Sequence, residues 1–485
     1  MYEMLEAISQ GVAALGFILW TWLFGVVLII GGIYFTIKTR FVQFTMVYDA
    51  LRLIGGKDKA ANEATVSEKN KPKNNLSAFQ AFCISESSRV GTGNVTGTAI
   101  AIAIGGPGAL FWMWVMALLG ACTSFVESTL GQLYKENHGD RFMGGPMFYF
   151  QRAYKSKLPG KVFAVIVAIM YVFVFNSIQT NTITDTFISF VPERIFIGIA
   201  VSIVTMFIIF GGLKRIAQAA TTLLPFMVIV FLIVSYGIIL FNLPEFFSAM
   251  GLVFTSAFGA EQIAGGGVGF AIGTAMQQGL RRGLFSNEAG LGTVPIGAST
   301  SNVSHPAKQG LVSCFGVYVD TILIASATGF FVIMSGAYLE GYTGVALVRA
   351  GFIHFMGPSS EPFLLVMLLL LPLTSILGNY FYGETSLRFL TKSKSAINIF
   401  RLAGGIVIIL ASLAPLQLVW NLGDIFTGTL VTLNIIVLFK LGKTAFAVLD
   451  DYRTQLKAFK AGKGPEPVFY DDTIGVDTPY WKRNR

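Results

Sequence analysis

The residues best suited to chemistry form one stretch, Ser88-Arg89-Val90-Gly91-Thr92-Gly93-Asn94-Val95-Thr96-Gly97, in the middle of an apolar segment at 76–105. Its glycines and threonines are poor filler for a membrane-spanning helix, since each interior glycine costs roughly 1 kcal/mol. Backbone left unpaired in lipid costs several kcal/mol per group, so a broken helix survives only where it lines a cavity. Two readings stand: a small-residue packing face between helices, or an unwound binding site. In the second, N–H groups freed at Gly91 to Asn94 sit at the positive end of the next half-helix and receive an anionic group such as a carboxylate. Carbonyls at Ser87 and Val90 are then free to ligate a cation, and Asn94 can serve either ligand.

Other polar residues at membrane depth add to this set. Thr374 and Ser375 follow Pro372 in an apolar run; such hydroxyls either bond the carbonyl one turn back or offer hard oxygen ligands to Na+. Intramembrane charges are costly and so read as functional candidates. Glu86 and Arg89 stand three apart on one helix face, as a structural ion pair or a gate. Glu127, Asp320 and Glu384 have no partner close in sequence, so Asp320 and Glu384 are candidate gating or coupling groups. Asn176, Gln179 and Asn181 place amides in one span beside Phe175, as polar glue and packing or as a binding wall.

The elements that must hold these residues are membrane spans. The chain has 485 residues, 54% hydrophobic and only 13% charged, with mean hydropathy +0.66. A soluble protein carries about twice that charge fraction. Eleven apolar spans are expected at 11–36, 76–105, 108–133, 161–191, 195–212, 216–241, 249–284, 308–337, 361–388, 396–414 and 417–440. The fold class is therefore all-α and polytopic, without a sizeable soluble domain. Met1 to Gln10 lacks the basic region and cleavage site of a signal peptide. Cys83, Cys122 and Cys314 lie in apolar segments without metal-ligand spacing, as small core residues. His138, His305 and His354 form no haem or metal constellation.

The net charge of +9 is not that of a nucleic-acid binder, because nearly all 35 Lys and Arg fall on alternate loops, Arg281, Arg282 and Lys308 among them. Only Arg194 and Arg349 lie opposite, and Arg89 is within a span. By the positive-inside rule the N-terminus is outside and the C-terminus cytoplasmic, in a bacterial plasma membrane. Residues 143–161 mix aromatic and basic residues as an interfacial helix does. Residues 441–462 read as a solvated tail helix or one lying on the anionic leaflet, and 465–485 as disordered.

A second break is expected at Ala264-Gly265-Gly266-Gly267-Val268-Gly269 in the seventh span. The two glycine-interrupted spans, second and seventh, are five apart. Residues 1–75 are then a prefix helix and loop, 76–241 one five-helix repeat, 242–441 its inverted partner, and 442–485 a tail. That is the pattern of a secondary transporter with its site where the broken helices meet. No filter loop, HExxH, GxSxG, cofactor motif or P-loop points to a channel, an enzyme or a pump.

Four motifs carry a family resemblance: Gly91-Thr92-Gly93-Asn94, the run from Gly105-Gly106-Pro107-Gly108-Ala109-Leu110-Phe111-Trp112 to Gly120, Gly144-Gly145-Pro146-Met147, and Gly283-Leu284-Phe285-Ser286-Asn287-Glu288-Ala289-Gly290. Over residues 15–450 the chain resembles the alanine/glycine:cation symporters. The resemblance implies a LeuT-type core of ten helices after one extra helix, and Na+-driven uptake of small neutral amino acids. Na+ is the coupling ion; no cofactor, nucleic acid or obligatory protein partner is implied. It puts Na+ at Ser87, Val90, Thr374 and Ser375. Substrate contacts fall on Thr92, Gly93 and Asn94, on Phe175 and Gln179, on Gly266, Gly267 and Phe270 of the second break, and on Asn379. Where the family's alanine-type pattern often has Trp after the glycine matched by Gly378, this chain has Asn379. The smaller, amide-bearing residue implies that glutamine is accepted too. H+ coupling through Asp320 or Glu384 is the alternative.

Overall fold

The computed structural model describes residues 2–56, 58, 60–63, 72, 76–259 and 268–483, with side chains at 2–9, 62–63 and 268–272 outside that description. The chain is nearly all helix; among the described residues the only sheet pairs Glu136–Asn137 with Phe142–Met143. The first span, α1 (Gln10–Lys38), leads through the short helices Val42–Thr45, Val47–Ile54 and Ala60–Glu63 to α2 (Ala78–Arg89). Ser77 and Gln80 start α2 with a reciprocal capping box, each side chain bonding the other's backbone N–H. α3 (Thr98–Gly105) continues beyond a gap, and α4 (Gly108–Leu133) opens behind Pro107. Then come α5 (Lys157–Phe187), α6 (Arg194–Ile209), α7 (Gly212–Phe241) and α8 (Leu243–Ala257). α9 (Val268–Asn287) and the short α10 (Val294–Ala298) precede α11 (Pro306–Ser335). α12 (Gly344–Met356), α13 (Glu361–Leu390), α14 (Lys394–Ala411) and the long α15 (Leu416–Lys460) complete the chain.

Among the described residues, eight helices are long and apolar enough to cross a membrane. Shorter apolar helices, Gly93–Gly105 and Arg194–Ile209, fall at the second and fifth expected spans. The surface is apolar, with Trp22, Phe207, Ile233 and Phe241 all turned outward. Glu86, Arg89, Glu127, Glu288 and Asp320 are buried. Apolar side chains outside and charged groups enclosed inside mark a multi-pass membrane protein.

The seventh expected span, for which a break was expected, is shared by two helices: α8 ends at Ala257 and α9 begins at Val268, with 260–267 outside the described residues. Four expectations are corrected. Residues 465–483 are not a disordered end; Phe469, Tyr480 and Trp481 are buried against the bundle. Residues 441–460 continue α15 and bury Ala445, Val448, Leu449, Tyr452 and Leu456 on the protein rather than in water or lipid. Residues 143–161 make no interfacial helix, since Met147 to Phe150, in the helix Pro146–Tyr154, are buried. Arg281 and Arg282 lie inside α9, not in a loop, because Asp424 of α15 pairs with both.

Candidate functional site

α2 ends at Arg89, and Val90 leaves it in extended conformation. The chain re-enters a helix through a wide π turn at Gly93–Gly97, closed by the Gly97 N–H on the Thr92 carbonyl at 2.8 Å. The stretch is thus a break and not a packing face. A β-carbon on Gly91 would collide with Ser375 Oγ, so glycine is what lets α13 lie against the break. Ser375 Oγ reaches the Val90 carbonyl at 3.3 Å and the Leu371 carbonyl at 3.2 Å. Thr374 bonds only back to Leu371, at 2.9 Å, and the Ser87 hydroxyl bonds Ile84. Of the four expected Na+ ligands, the structure visibly joins Val90 and Ser375.

The freed backbone has definite partners. Asn94 Oδ1 accepts the Gly91 N–H at 2.9 Å, while its Nδ2 donates to the Asp320 carbonyl at 3.0 Å and to the Asp320 carboxylate. Asp320 also accepts from Ser286 Oγ at 2.9 Å and Thr321 Oγ1 at 2.8 Å. Gln179 Oε1 accepts both the Thr92 N–H (3.2 Å) and the Thr92 hydroxyl (2.6 Å). A buried oxygen therefore already stands where the break's donors point. Phe175 and Phe285 pack at 4.7 Å as a wall, and Phe285 meets Trp420 at 4.7 Å. Behind Trp420 lies the Arg282–Asp424 pair, 2.9 Å apart, with the guanidinium 4.3 Å over the indole ring.

A second unwound segment, besides the glycine run, faces the first. Gly265, Gly266 and Gly267 lie outside the described residues, as does the Phe270 side chain. The described break is Glu288–Thr293, between α9 and α10, with left-handed backbone at Glu288 (φ 52°), Gly290 (φ 89°) and Gly292 (φ 82°). Glu127 of α4 replaces the missing helical acceptors: its two oxygens take the N–H groups of Gly290 (3.1 Å) and Gly292 (2.9 Å). Asn434 braces the same turn, donating to Glu127 at 2.8 Å and to the Gly290 carbonyl at 2.9 Å. Glu288 reaches across to accept from Ser88 Oγ at 2.7 Å, so one side chain ties the two breaks together. Glu127→Ala strands three buried donors, each worth roughly 1–3 kcal/mol. It is expected to destabilise the protein by about 3 kcal/mol or more, read as a lower melting temperature in detergent, with Glu127→Gln milder. An unchanged melting temperature would contradict this role.

The remaining expected residues separate cleanly. Arg89 pairs with Glu86 at 2.8 Å and also donates to the Ser313 carbonyl (3.1 Å) and to Ser124 Oγ (2.9 Å). Glu384 sits apart, held by Arg388 (2.7 Å), Arg401 (3.0 Å) and the Tyr380 hydroxyl. Asn181 is polar glue, donating to the Ala414 carbonyl at 2.7 Å. Asn379 lies beside the site, with its Oδ1 2.7 Å from Ser88 Oγ and its Nδ2 buried without a partner among the described residues. Sequence reasoning missed Phe285, Ser286, Glu288 and Asp424 as site residues. The first three sit in the motif at 283–290, whose polar triplet in an apolar span was the available signal. Among the described residues, no group of three or more His, Cys, Asp or Glu is placed to hold a metal ion.

The sodium:alanine symporter family model matches residues 5–466. The chain is 42% identical over 459 residues to "Probable sodium/glutamine symporter GlnT" of Bacillus subtilis (strain 168), covering 94% of this chain and 92% of that one. It is 39% identical over 452 residues to the amino-acid carrier protein AlsT of the same organism, covering 93% and 92%. It is 34% identical over 427 residues to the sodium/alanine symporter AgcS of Methanococcus maripaludis, covering 86% and 91%. A matched family model and relatives spanning nearly the whole chain identify it as a member of the sodium:alanine symporter family, a transporter and not an enzyme.

Proposed function

We propose that this chain imports small neutral amino acids together with Na+ by alternating access, in a LeuT-type core of two inverted five-helix repeats. The observation that carries the reading is Gln179 Oε1 on the Thr92 N–H and hydroxyl. One buried oxygen occupies the donors that a substrate carboxylate would take, at the start of a half-helix. Na+ would lie between the carbonyls of Ser87 and Val90 and the Thr374–Ser375 hydroxyls, where Ser375 already reaches Val90. Thr92, Gly93 and Asn94 hold the carboxylate, Phe175 and Phe285 wall the pocket, and the second break meets it from the other side. Gly266, Gly267 and Phe270 are the contacts assigned to the second half of the core. Asp320, bonded to Asn94 and Ser286, ties both halves to the cation's neighbourhood. Glu384 is held by two guanidinium groups, Arg388 and Arg401.

Glutamine belongs with alanine and glycine among the substrates. Asn379 is small, buried and keeps an unused amide group beside Ser88, and a relative at 42% identity is named for sodium/glutamine symport. The membrane is the bacterial plasma membrane, with the N-terminus outside and the C-terminus cytoplasmic. The test is uptake of a panel of labelled amino acids by proteoliposomes. Accumulation of alanine is expected only with an inward Na+ gradient, with unlabelled glutamine competing. Uptake driven by a pH gradient in Na+-free buffer would refute Na+ coupling, and no competition at large excess would remove glutamine.

A further inference from the structure

The C-terminal segment has no part in the site, and its anchors Phe469, Tyr480 and Trp481 lie beyond the stretch the family model matches. It is nonetheless built into the bundle. Trp481 Nε1 donates to the Gln132 carbonyl at the end of α4, 2.9 Å away. Beside it Lys135, buried without an acidic partner in the ion pairs described, is enclosed by Phe142, Tyr480 and Trp481 at 4.1, 4.7 and 4.9 Å. Rings around a desolvated ammonium attract it through their faces. Upstream, Ser304 donates to the Pro467 carbonyl at 2.8 Å, and the Phe469 N–H returns to the Ser304 carbonyl at 2.9 Å. Glu466 stands 3.4 Å from Lys308.

All these contacts converge on one loop, residues 299–305, which joins α10 to α11. Gln132 Nε2 bonds Ala298 and Ser301, and Lys135 Nζ bonds the Ser301 carbonyl at 2.9 Å. The same loop grips the entry to α2, the half-helix that leads to the first break: the Asn302 N–H donates to the Leu76 carbonyl at 2.9 Å. Deeper in, α2 and α10 touch where Ser85 faces Gly297; a β-carbon on Gly297 would come within 2.5 Å of Ser85 Oγ. For a path to open from this face, α2 must part from α10. The segment bolts the α10–α11 loop, which also holds the entry to α2, to α4.

We propose that residues 465–483 are an intramolecular latch that holds this face of the transporter closed and so sets how often the site opens to the cytoplasm. This rests on the alternating-access reading above. Contacts made only in the closed state shift the two-state balance by their differential free energy, and nothing else does.

The test uses the full chain with Ser85→Cys as its only thiol, Cys83, Cys122 and Cys314 having been replaced, and follows labelling by a small thiol reagent in Na+-free buffer. Deletion of residues 463–485 is expected to speed labelling by on the order of tenfold, and full-length Tyr480→Ala/Trp481→Ala by a smaller factor in the same direction. The same two changes in a protein whose sole thiol is Cys314, buried in α11, should leave that thiol unlabelled. Labelling of the Ser85→Cys protein at the full-length rate in both variants overturns the latch. So does equal acceleration at Cys314, which would mean general loosening. Uptake by the unaltered chain is measured alongside: no Na+-driven uptake would sink the transport reading, whereas normal uptake with unchanged labelling sinks only the latch.

Discussion

Asn94→Ala is expected to lower Na+-driven alanine uptake by about a hundredfold or more, with the protein still folded and inserted. The side chain serves two buried clients at once. It accepts the Gly91 N–H, which no helical carbonyl can reach because Val90 has left the helix. It donates to Asp320, whose carboxylate otherwise relies on Ser286 and Thr321. Losing an acceptor for a buried N–H costs roughly 1–3 kcal/mol, and a bond to a charged group counts for about 1.5–3 kcal/mol. Each 1.4 kcal/mol is tenfold in an equilibrium, so the two losses together reach about a hundredfold. Global folding is spared because the break is a local element, braced independently by Gln179 and Ser375. Uptake in proteoliposomes at matched protein amounts decides it; retention of more than about a tenth of the parental rate would contradict the assignment.

How much of this site the sequence disclosed differs between the two breaks. The first was legible as a candidate because glycine, threonine and asparagine crowd into an apolar run, a composition that fits an unwound segment as well as a packing face. Of the second expected break, 264–267 lie outside the described residues, and the unwound segment at 288–293 is one that counting glycines does not find. The described break needs glycine only at Gly290 and Gly292, alternate positions whose left-handed backbone is stabilised by Glu127, far away in the chain. An acceptor supplied by another helix leaves no local pattern. The π turns are equally silent in sequence, yet those at Gly93–Gly97, Met170–Phe175 and Tyr318–Ala325 carry Asn94, Phe175 and Asp320. Such a turn inserts a residue without any preferred composition, and functional sites use it often. Spans were legible from hydropathy, but the C-terminal segment was not. Its Pro, Asp and Gly content resembles a solvated tail, and only its match to Lys135 and Ser304 in space makes it fold.

Arg89→Met is expected to destabilise the protein by about 3–5 kcal/mol, the usual cost of leaving one member of a buried ion pair behind. Glu86 is buried with a single partner for its charge in this pair, and its second oxygen has no hydrogen bond among the described residues. The neighbouring backbone has made room for the pair: a β-carbon on Gly316 would collide with the Glu86 carboxylate and fall 2.6 Å from Arg89. Water cannot replace the guanidinium there without moving α11. Glu86→Gln/Arg89→Met removes both charges and keeps most of the volume, so it should recover a large part of that loss; the coupling between the two changes is the measure of the pair. The same cycle separates two roles that the sequence left open. As a structural pair, the residues affect uptake only through the amount of folded protein, and the double variant transports. As a gate, they are needed at the moment of opening, and the stabilised double variant stays inactive. The geometry favours the first, since the guanidinium pins the last turn of α2 to α4 through Ser124 and to α11 through Ser313. Melting curves and uptake on the four proteins of the cycle settle the matter: equal destabilisation of Arg89→Met and the double variant would refute the buried pair, and a stable but inactive double variant would make it a gate.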